Sequence, residues 1–250
     1  LDPGVTGILP IALGKATRIV QTLLKSGKEY IALMHLHKKV DPELIYQTAD
    51  KFSGKIKQLP PIRSAVKREL RTREIYYLDF LEIQDKNVLF KIGCEAGTYI
   101  RKLIHDFGLK LNTQAHMAQL VRTKVATFND KSWHNLHDLK DSYTLYKEGN
   151  EKEIRKIILP IEKAVEHLPK IWVLDSAVGN ICHGADLSIP GISKYNDFYE
   201  NDTVAVLTLK NELICLGKAL VNYDFIKNND KGKVIKTSKV FMERSLYPRK

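Results

Sequence analysis

The chain lacks several features that define common protein classes. It has only three cysteines in 250 residues, Cys94, Cys182 and Cys215, with no Cys-x-x-Cys pair. This spacing argues against a zinc ribbon or a disulfide framework and favours a reducing, intracellular compartment. No apolar run approaches the roughly 20 residues that span a bilayer, and no signal-peptide pattern is visible. The sequence contains no Gly-rich phosphate loop and no metal-ligand spacing.

Acidic residues are scarce relative to basic ones. The chain has 40 Lys and Arg against 29 Asp and Glu, a formal net charge of +11. Such an excess raises the affinity for polyphosphates through charge neutralisation and counterion release, which favours nucleic acid as the partner. A generally Lys-rich composition is the alternative explanation. The hydrophobic content of 44% is enough for a buried core and two modest domains.

Hydrophobic periodicity predicts alternating helices and strands in the first two thirds of the chain. Helices are predicted at 10–24, from 41 onward and at 100–108, and strands at 28–36, 75–83 and 88–94. Beyond a composition change near Pro169, short β-rich runs at 203–209, 213–219 and 239–242 alternate with turn residues and predict a small barrel. We therefore expect two domains, 1–168 and 169–250.

One carboxylate stands in a turn at the start of the sequence. Asp2 precedes Pro3 and Gly4, which favour a tight turn, although many such turns have no chemical role. The stretch resembles the catalytic loop of the TruB and dyskerin-type pseudouridine synthases, usually Gly-Thr-Leu-Asp-Pro-x-x-Thr-Gly-x-Leu-Pro. The resemblance implies that Asp2 is the nucleophile. Because the sequence begins inside this motif, we expect the catalytic domain to be N-terminally incomplete.

A second segment, residues 94–101, resembles the Gly-Thr-Tyr-Ile-Arg motif of the same family. The resemblance implies that Arg101 contacts the catalytic Asp2. A bidentate arginine would hold a carboxylate ionised below its ordinary pKa of about 3.9. Without that resemblance, Arg101 could equally be a solvated helix residue.

Two further motifs bring an aromatic and an apolar side chain. Lys28-Glu29-Tyr30 resembles the family's Lys-x-Tyr motif, which implies that the Tyr30 ring stacks on an extruded uracil, worth roughly 1–3 kcal/mol. Residues 115–123 resemble the Ala-His-x-x-x-Leu-x-Arg stretch, which implies that Leu120 forms a wall of the uracil pocket. Ordinary strand packing is the alternative for both residues. His116 has no second ligand at metal-like spacing and is interpreted as structural.

Two segments are candidates for RNA binding. Residues 58–67 resemble the family's Gln-x-Pro-Pro-x-x-Ser-Ala-x-Lys motif, and the basic residues that follow are closer to the archaeal and eukaryal branch. A basic loop here would grip RNA by its phosphates, although a solvated charged face is the alternative. The second half of the chain resembles a PUA domain, in which the Gly-Ala-Asp-Leu segment usually contacts RNA. The predicted RNA-binding residues are Lys67, Arg68, Arg71, Arg73, Gly184, Ala185, Asp186 and Leu187.

These motifs occur in the same order as in the family, across nearly the whole chain, and the resemblance implies an α+β fold. A mixed, largely antiparallel sheet flanked by helices is expected, followed by a small β-barrel PUA domain. The implied function is isomerisation of uridine to pseudouridine in rRNA or tRNA, without cofactor or metal, by the catalytic subunit of a guide-directed ribonucleoprotein. The implied partners are box H/ACA guide RNA, substrate RNA and small H/ACA proteins, with no membrane. The expected location is the cytoplasm in an archaeon, or the nucleus and nucleolus in a eukaryote.

Two alternative functions remain at this point. The first is a stand-alone tRNA pseudouridine synthase that acts on the T-loop uridine without a guide. The second is a non-catalytic RNA-binding scaffold. The joint presence of Asp2, Tyr30 and Arg101 argues against the scaffold, because binding alone does not require these three residues.

Overall fold

The computed structural model describes residues 4–60 and 67–248. The chain divides into two compact units, one of residues 1–11 and 21–138 and the other of residues 12–20 and 139–250. This division follows spatial contact, whereas the boundary expected at residue 168 follows composition and stays a prediction. A short segment near the start of the chain thus belongs to the second unit.

The described part of the first unit contains one mixed sheet. Its strands are β1 (Thr6–Gly7), β2 (Lys28–Leu36), β3 (Gly54–Gln58), β4 (Arg71–Gln84), β5 (Asn87–Cys94), β6 (Ala115–Val125) and β7 (Phe128–Asn129). They lie in the order β1-β6-β2-β5-β4-β3, with β7 paired to β6. Only β1 and β6 are parallel among these pairs, and the other pairs are antiparallel. The largely antiparallel mixed sheet expected from the sequence is confirmed.

Three α-helices accompany this sheet: α1 (Val20–Lys25), α2 (Pro42–Ala49) and α3 (Ile100–Lys110). A short 3-10 helix of this unit spans Asp50–Phe52. The start of α2 is local in origin, because Asp41 caps it by accepting a hydrogen bond from the Glu43 backbone N–H at 2.9 Å. Pro42 follows in the first turn, where its missing N–H has no cost.

The core of the first unit lies between α3 and the sheet. The buried residues of α3 include Ile100, Leu103, Ile104 and Phe107, and they recur at helical spacing. Gly108, predicted as the stop of this helix, lies inside it instead. A Cβ on Gly108 would sit 2.6 Å from the Cβ of Ala115, so glycine here permits the close approach of α3 to β6.

The second unit contains a separate sheet with its own core. Its strands are β8 (Lys170–Val173), β9 (Leu187–Ser188), β10 (Ile192–Tyr195), β11 (Thr203–Thr208), β12 (Leu213–Ala219) and β13 (Lys233–Val240), in the order β10-β8-β11-β12-β13-β9. Helix α4 (Leu136–Lys147) begins in the first unit, which extends to Asp138, and continues in the second. The other helices of the second unit are α5 (Ile154–Ile157), α6 (Asp175–Cys182) and α7 (Asp224–Asn228), with 3-10 turns at Gly14–Ile19, Ile161–Val165 and Ile189–Gly191. The strand predicted at 239–242 is therefore wrong in its bounds, because β13 starts earlier and ends at Val240.

All three cysteines are free and buried. Burial raises the pKa of the Cys94 thiol to about 11, so this thiol stays protonated and unreactive near neutral pH. Among the described residues, no helix has the length and apolar character needed to cross a membrane.

Candidate active site and RNA-binding surfaces

Tyr30 and Leu120 lie on neighbouring strands of the first sheet. Tyr30, half-buried on β2, is opposite Arg122 of β6, and Leu120, only 8% exposed, is opposite Ala32. Residues two apart on a strand share a face, so Tyr30 and Leu120 are diagonal neighbours roughly 7–8 Å apart. The sheet therefore brings together the predicted stacking residue and the predicted pocket wall.

Asp2 itself lies outside the described residues, but the second half of its motif is held against this site. Thr6 and Gly7 form β1, parallel to β6, with Gly7 opposite Arg122. The Ile8 N–H donates to the Arg122 carbonyl at 2.9 Å, and the Arg122 guanidinium donates twice to the Ile8 carbonyl, at 2.8 and 2.6 Å. The motif is thus tethered to the strand that carries Leu120.

The tether requires a glycine at position 7. Gly7 has a φ of +107°, and a Cβ there would lie 2.2 Å from the Arg122 carbonyl oxygen. No side-chain movement can relieve such a contact, because the opposing atom belongs to the backbone. Sequence reasoning missed Arg122 as an anchor, although it is the Arg of the Ala-His-x-x-x-Leu-x-Arg stretch.

Arg101 is the second residue of α3 and is exposed. The turn before it is fixed by Gln58, which lies at the end of β3 and is 3% exposed. The Gln58 side chain donates to the Tyr99 carbonyl at 3.1 Å and accepts from the Tyr99 N–H at 3.0 Å. Because Asp2 lies outside the described residues, its pairing with Arg101 stays a prediction.

A hydrogen-bonded carboxylate adjoins Tyr30 in the sequence. Glu29 accepts hydrogen bonds from the Tyr77 hydroxyl and from Thr123 Oγ1, the latter at 2.7 Å. Burial raises the pKa of Glu29, but these two hydrogen bonds and the nearby Lys91 and Lys124 outweigh it, so the pKa lies below its ordinary value. The network ties β2 to both β4 and β6 on either side of the site.

The Lys28 side chain joins a helix to the strand that carries Tyr30. Its ammonium donates to the carbonyls of Leu23, Leu24 and Ser26 at 3.2, 2.8 and 2.7 Å. These carbonyls lie at the end of α1, where a cation offsets the negative end of the helix dipole. Burial, with the positive charge of Arg122 nearby, lowers the pKa of Lys28. The lysine of the Lys-x-Tyr motif thus has a structural role.

The basic segment after residue 66 is mostly accessible. Lys67 and Arg68 are exposed, and Arg71 is half-buried at the start of β4. Lys67 forms an ion pair with Glu69, and the Arg71 guanidinium reaches the Lys67 carbonyl at 3.4 Å. All three side chains are at least partly accessible, and their binding to RNA phosphates stays a prediction.

Arg73 differs from the other basic residues of this segment. Its side chain is only 20% exposed and pairs with Glu95 at 3.5 Å. A Cβ on Gly97 would lie 3.2 Å from the Arg73 guanidinium, so this group packs on the turn that precedes α3. The structure therefore gives Arg73 partners within the chain rather than an open phosphate contact.

The predicted PUA contact segment lies after α6. Gly184 and Ala185 are exposed, whereas Leu187 is buried in the core of the second unit. Asp186 forms a 3.0 Å ion pair with Lys233, and this pair, together with the backbone N–H of Thr237, lowers its pKa. Gly184 and Ala185 are accessible to a ligand, while Asp186 and Leu187 are held by the fold.

A cavity of about 510 Å³ opens beside Gly184. It is lined by His183 and, among others, the basic side chains of Lys15, Arg18 and Arg244. Lys15 pairs with Glu243 at 3.0 Å, and the Arg18 guanidinium lies 5.1 Å from the Phe241 ring centroid. Sequence reasoning missed Lys15 and Arg18, because nothing local in the sequence links them to a segment more than 160 residues away.

Three histidines meet at the far end of β2 from Tyr30. His37 Nε2 and His116 Nδ1 are 3.1 Å apart, and His35 Nδ1 is 2.8 Å from Asn87 Oδ1. Within 4–60 and 67–248, no group of three or more His, Cys, Asp or Glu side chains is arranged to hold a metal ion.

Three family models match the chain. They are the tRNA pseudouridylate synthase B C-terminal domain at residues 101–166, the PUA domain at 169–241 and the Pus10 C-terminal model at 9–129. The chain is 54% identical over its whole length to the probable tRNA pseudouridine synthase B of Thermococcus onnurineus, and 53% identical to that of Pyrococcus furiosus. It covers 75% and 74% of those proteins.

Solved structures of protein and RNA–protein complexes contain chains that resemble the whole of this chain. A Cbf5-Nop10-Gar1 complex contains a chain that is 53% identical, with a TM-score of 0.96, and an H/ACA RNP bound to a substrate RNA containing 2'-deoxyuridine contains one that is 50% identical, with a TM-score of 0.93. This chain is covered completely in both comparisons, and it covers 77% and 76% of those chains.

Proposed function

The chain belongs to the archaeal TruB-like pseudouridine synthases, and from this membership we propose that it is the catalytic subunit of a guide-directed H/ACA ribonucleoprotein. The expectation of a pseudouridine synthase is thereby confirmed. The proposal extends this to the residues that act, the RNAs bound and the protein partners.

In the proposed mechanism, a target uridine flips out of its RNA and its base enters a pocket between Tyr30 and Leu120. The Asp2 carboxylate adds as the nucleophile, and the glycosidic C1′–N1 bond breaks with its electron pair on the base. The base turns, its C5 bonds to C1′ and the carboxylate is released. C5 then loses its proton and N1 gains one. Arg101 pairs with Asp2 and keeps it ionised. Substrate and product are isomers, so the balance of atoms and electrons requires no co-reactant.

The observation that carries this mechanism is the tether of the Asp2 motif to β6. Gly7 and Ile8 are fixed at Arg122, directly across the sheet from Tyr30 and two residues from Leu120. A catalytic loop must be held in a productive geometry to contribute fully, because small misplacements of reacting groups reduce rates steeply. The parallel pairing therefore supports a preorganised loop beside the stacking and wall residues.

RNA binding is proposed at two surfaces. In the proposed catalytic domain, residues 1–168, Lys67, Arg68 and Arg71 contact substrate phosphates. In the proposed PUA domain, residues 169–250, the exposed Gly184 and Ala185 border the basic cavity beside α6 and contact guide RNA. Lysine and arginine at such sites position a nucleic acid without reading its bases.

The protein partners are proposed from the solved complexes. The Cbf5 chain, whose similarity covers the whole of this chain, is bound to Nop10 and Gar1. Small proteins of these kinds are the proposed partners here. The curated relatives are archaeal, so we place the complex in the archaeal cytoplasm.

A second function has one observation in its favour. The curated relatives carry the name tRNA pseudouridine synthase B, which describes an enzyme acting on tRNA. A chain of this kind could modify a tRNA uridine without a guide, and the two functions use the same catalytic site.

The test is to assay the full-length protein on a uridine-containing target RNA and on tRNA. Each reaction is run with and without H/ACA guide RNA and the two partner proteins, and pseudouridine is measured by nucleoside mass analysis. Product on the target only with guide supports the proposal, whereas product on tRNA without guide or partners supports the second function.

The catalytic assignment is tested separately with Asp2→Asn. This variant should bind RNA normally and form no pseudouridine. Turnover at the wild-type rate by Asp2→Asn would overturn the catalytic assignment, whichever RNA is the substrate.

A further inference from the structure

Gln58 makes a buried connection between two segments that the proposed function uses. It is the last residue of β3, is 3% exposed, and directs its amide at the backbone of Tyr99. One side chain satisfies both the N–H and the carbonyl of the same residue, at 3.0 and 3.1 Å. An amide carries its donor N–H and its acceptor oxygen on two separate atoms, whereas an ionised carboxylate offers acceptors only.

The Tyr99 backbone is the point where α3 begins. Tyr99 is the N-cap residue of this helix, and its own side chain makes no capping hydrogen bond. Its carbonyl also accepts the first helical hydrogen bond, from Leu103 N–H at 3.0 Å. Gln58 therefore acts as a cap supplied by another strand, and it fixes the path of the chain two residues before Arg101.

Gln58 is also paired, through the sheet, with the basic segment that begins at Lys67. In the β3–β4 ladder Gln58 is opposite Arg71, the first residue of β4. A ladder pair transmits a shift of one strand to its partner, because their backbone positions are coupled by hydrogen bonds. The segment proposed to grip RNA phosphates and the helix proposed to hold the catalytic carboxylate thus share one buried side chain.

We propose that Gln58 is a positioning residue that sets the direction of Arg101 towards the catalytic carboxylate. This inference rests on the proposed function, in which Arg101 pairs with Asp2. Gln58 touches neither substrate nor reacting atoms and acts only through Tyr99 and the first turn of α3. Its loss should slow the chemical step and leave RNA affinity nearly unchanged.

The first experiment compares Gln58→Met, which keeps the length of the side chain but removes both polar groups, with Thr48→Val. Thr48 is another buried polar residue, 4% exposed on α2, and serves as the matched control. Single-turnover pseudouridine formation is measured in the full-length complex, with RNA Kd and the thermal unfolding midpoint of each variant. Gln58→Met should be slower by roughly 100-fold, the usual effect of misplaced reacting groups, with Kd within about threefold of the wild type.

Gln58→Asn serves if Gln58→Met does not fold. It retains the amide but shortens its reach by one methylene, and it should be slowed in the same direction. If the variant that folds has a wild-type single-turnover rate, or is slowed no more than Thr48→Val, the positioning role is refuted.

A double-mutant cycle with Arg101→Lys tests whether Gln58 acts through Arg101. If it does, the double variant should be within about threefold of Arg101→Lys alone, because the two changes remove one interaction. Multiplicative effects of the two changes would overturn the inference while leaving the proposed function intact. A wild-type rate for Arg101→Lys and Asp2→Asn would instead show that the proposed function is wrong.

Discussion

Replacement of Gly7 by alanine should release the Asp2 motif from β6 while the rest of the sheet stays folded. The new Cβ would lie 2.2 Å from the Arg122 carbonyl oxygen and 2.6 Å from the Arg122 nitrogen, and the φ of +107° disfavours any side chain. Because the opposing atoms are backbone, only a movement of β1 away from β6 removes the overlap.

The cost of this movement follows from the contacts that it breaks. Ile8 and Arg122 share three hydrogen bonds, two of them from the guanidinium. A hydrogen bond to a charged group contributes about 1.5–3 kcal/mol, and a strained φ costs about 1–3 kcal/mol. A net loss of about 3–4 kcal/mol from the docked loop corresponds to a fall of roughly 100- to 1000-fold in single-turnover rate.

The assay is single-turnover pseudouridine formation at saturating RNA, with thermal unfolding measured in parallel. β1 has only two residues at the edge of the sheet, so the rest of the sheet should stay folded. At roughly 2–4 °C per kcal/mol, the loss of about 3–4 kcal/mol should lower the unfolding midpoint by roughly 6–16 °C. Gly149→Ala is the matched control, because Gly149 has a φ of +93° and open space where the Cβ would lie.

Two results would refute this reasoning. A rate for Gly7→Ala within about threefold of Gly149→Ala would show that the tether does not limit the chemistry. A much larger fall in the unfolding midpoint would show that β1 stabilises the whole sheet and not only the docking of the catalytic loop.

Two other predictions concern pH and salt. Tyr77→Phe removes a donor to Glu29 and should destabilise the protein at pH 7 by about 1 kcal/mol, allowing for solvent screening. The pKa of Glu29 is lowered in the folded state, so this contribution is present above the ordinary value of 4.5 and is lost as pH falls further. The melting difference between variant and wild type should therefore shrink in acid, and a constant difference would contradict the role of the carboxylate. In the double variant Arg68→Gln/Arg71→Gln, the slope of log affinity against log salt concentration should become less negative by roughly 0.7 for each phosphate contact removed. Arg73→Gln should leave that slope unchanged, because its guanidinium pairs with Glu95, and a slope equal to that of Arg68→Gln would contradict this assignment.

Much of the fold follows from short-range chemistry. The prediction of a strand at 28–36 coincides with β2, and a two-residue turn at 85–86 joins β4 to β5 with Asp85 at a φ of +52°. Asp41 and Pro42 start α2 because the cap and the fixed φ act within one turn. Gly108 fails as a helix stop because its role is to admit Ala115 from a different element.

For the candidate site as well, the sequence and the tertiary structure supply different information. The motifs identify the residues expected to act, and the sheet places Tyr30 and Leu120 on neighbouring strands, while Asp2 and its pairing with Arg101 stay predictions.

The sequence by itself determined the types of side chain available for the reaction, the local elements that carry them and the basic charge that favours RNA. Only the tertiary structure decided which distant groups hold those elements in place: Gln58 on Tyr99, 41 residues away, and Arg122 on Ile8, 114 residues away. The reason is that a buried polar group must find a partner wherever the order of strands brings one within reach. Local propensity fixes a helix or a strand, but strand order and burial fix its partners.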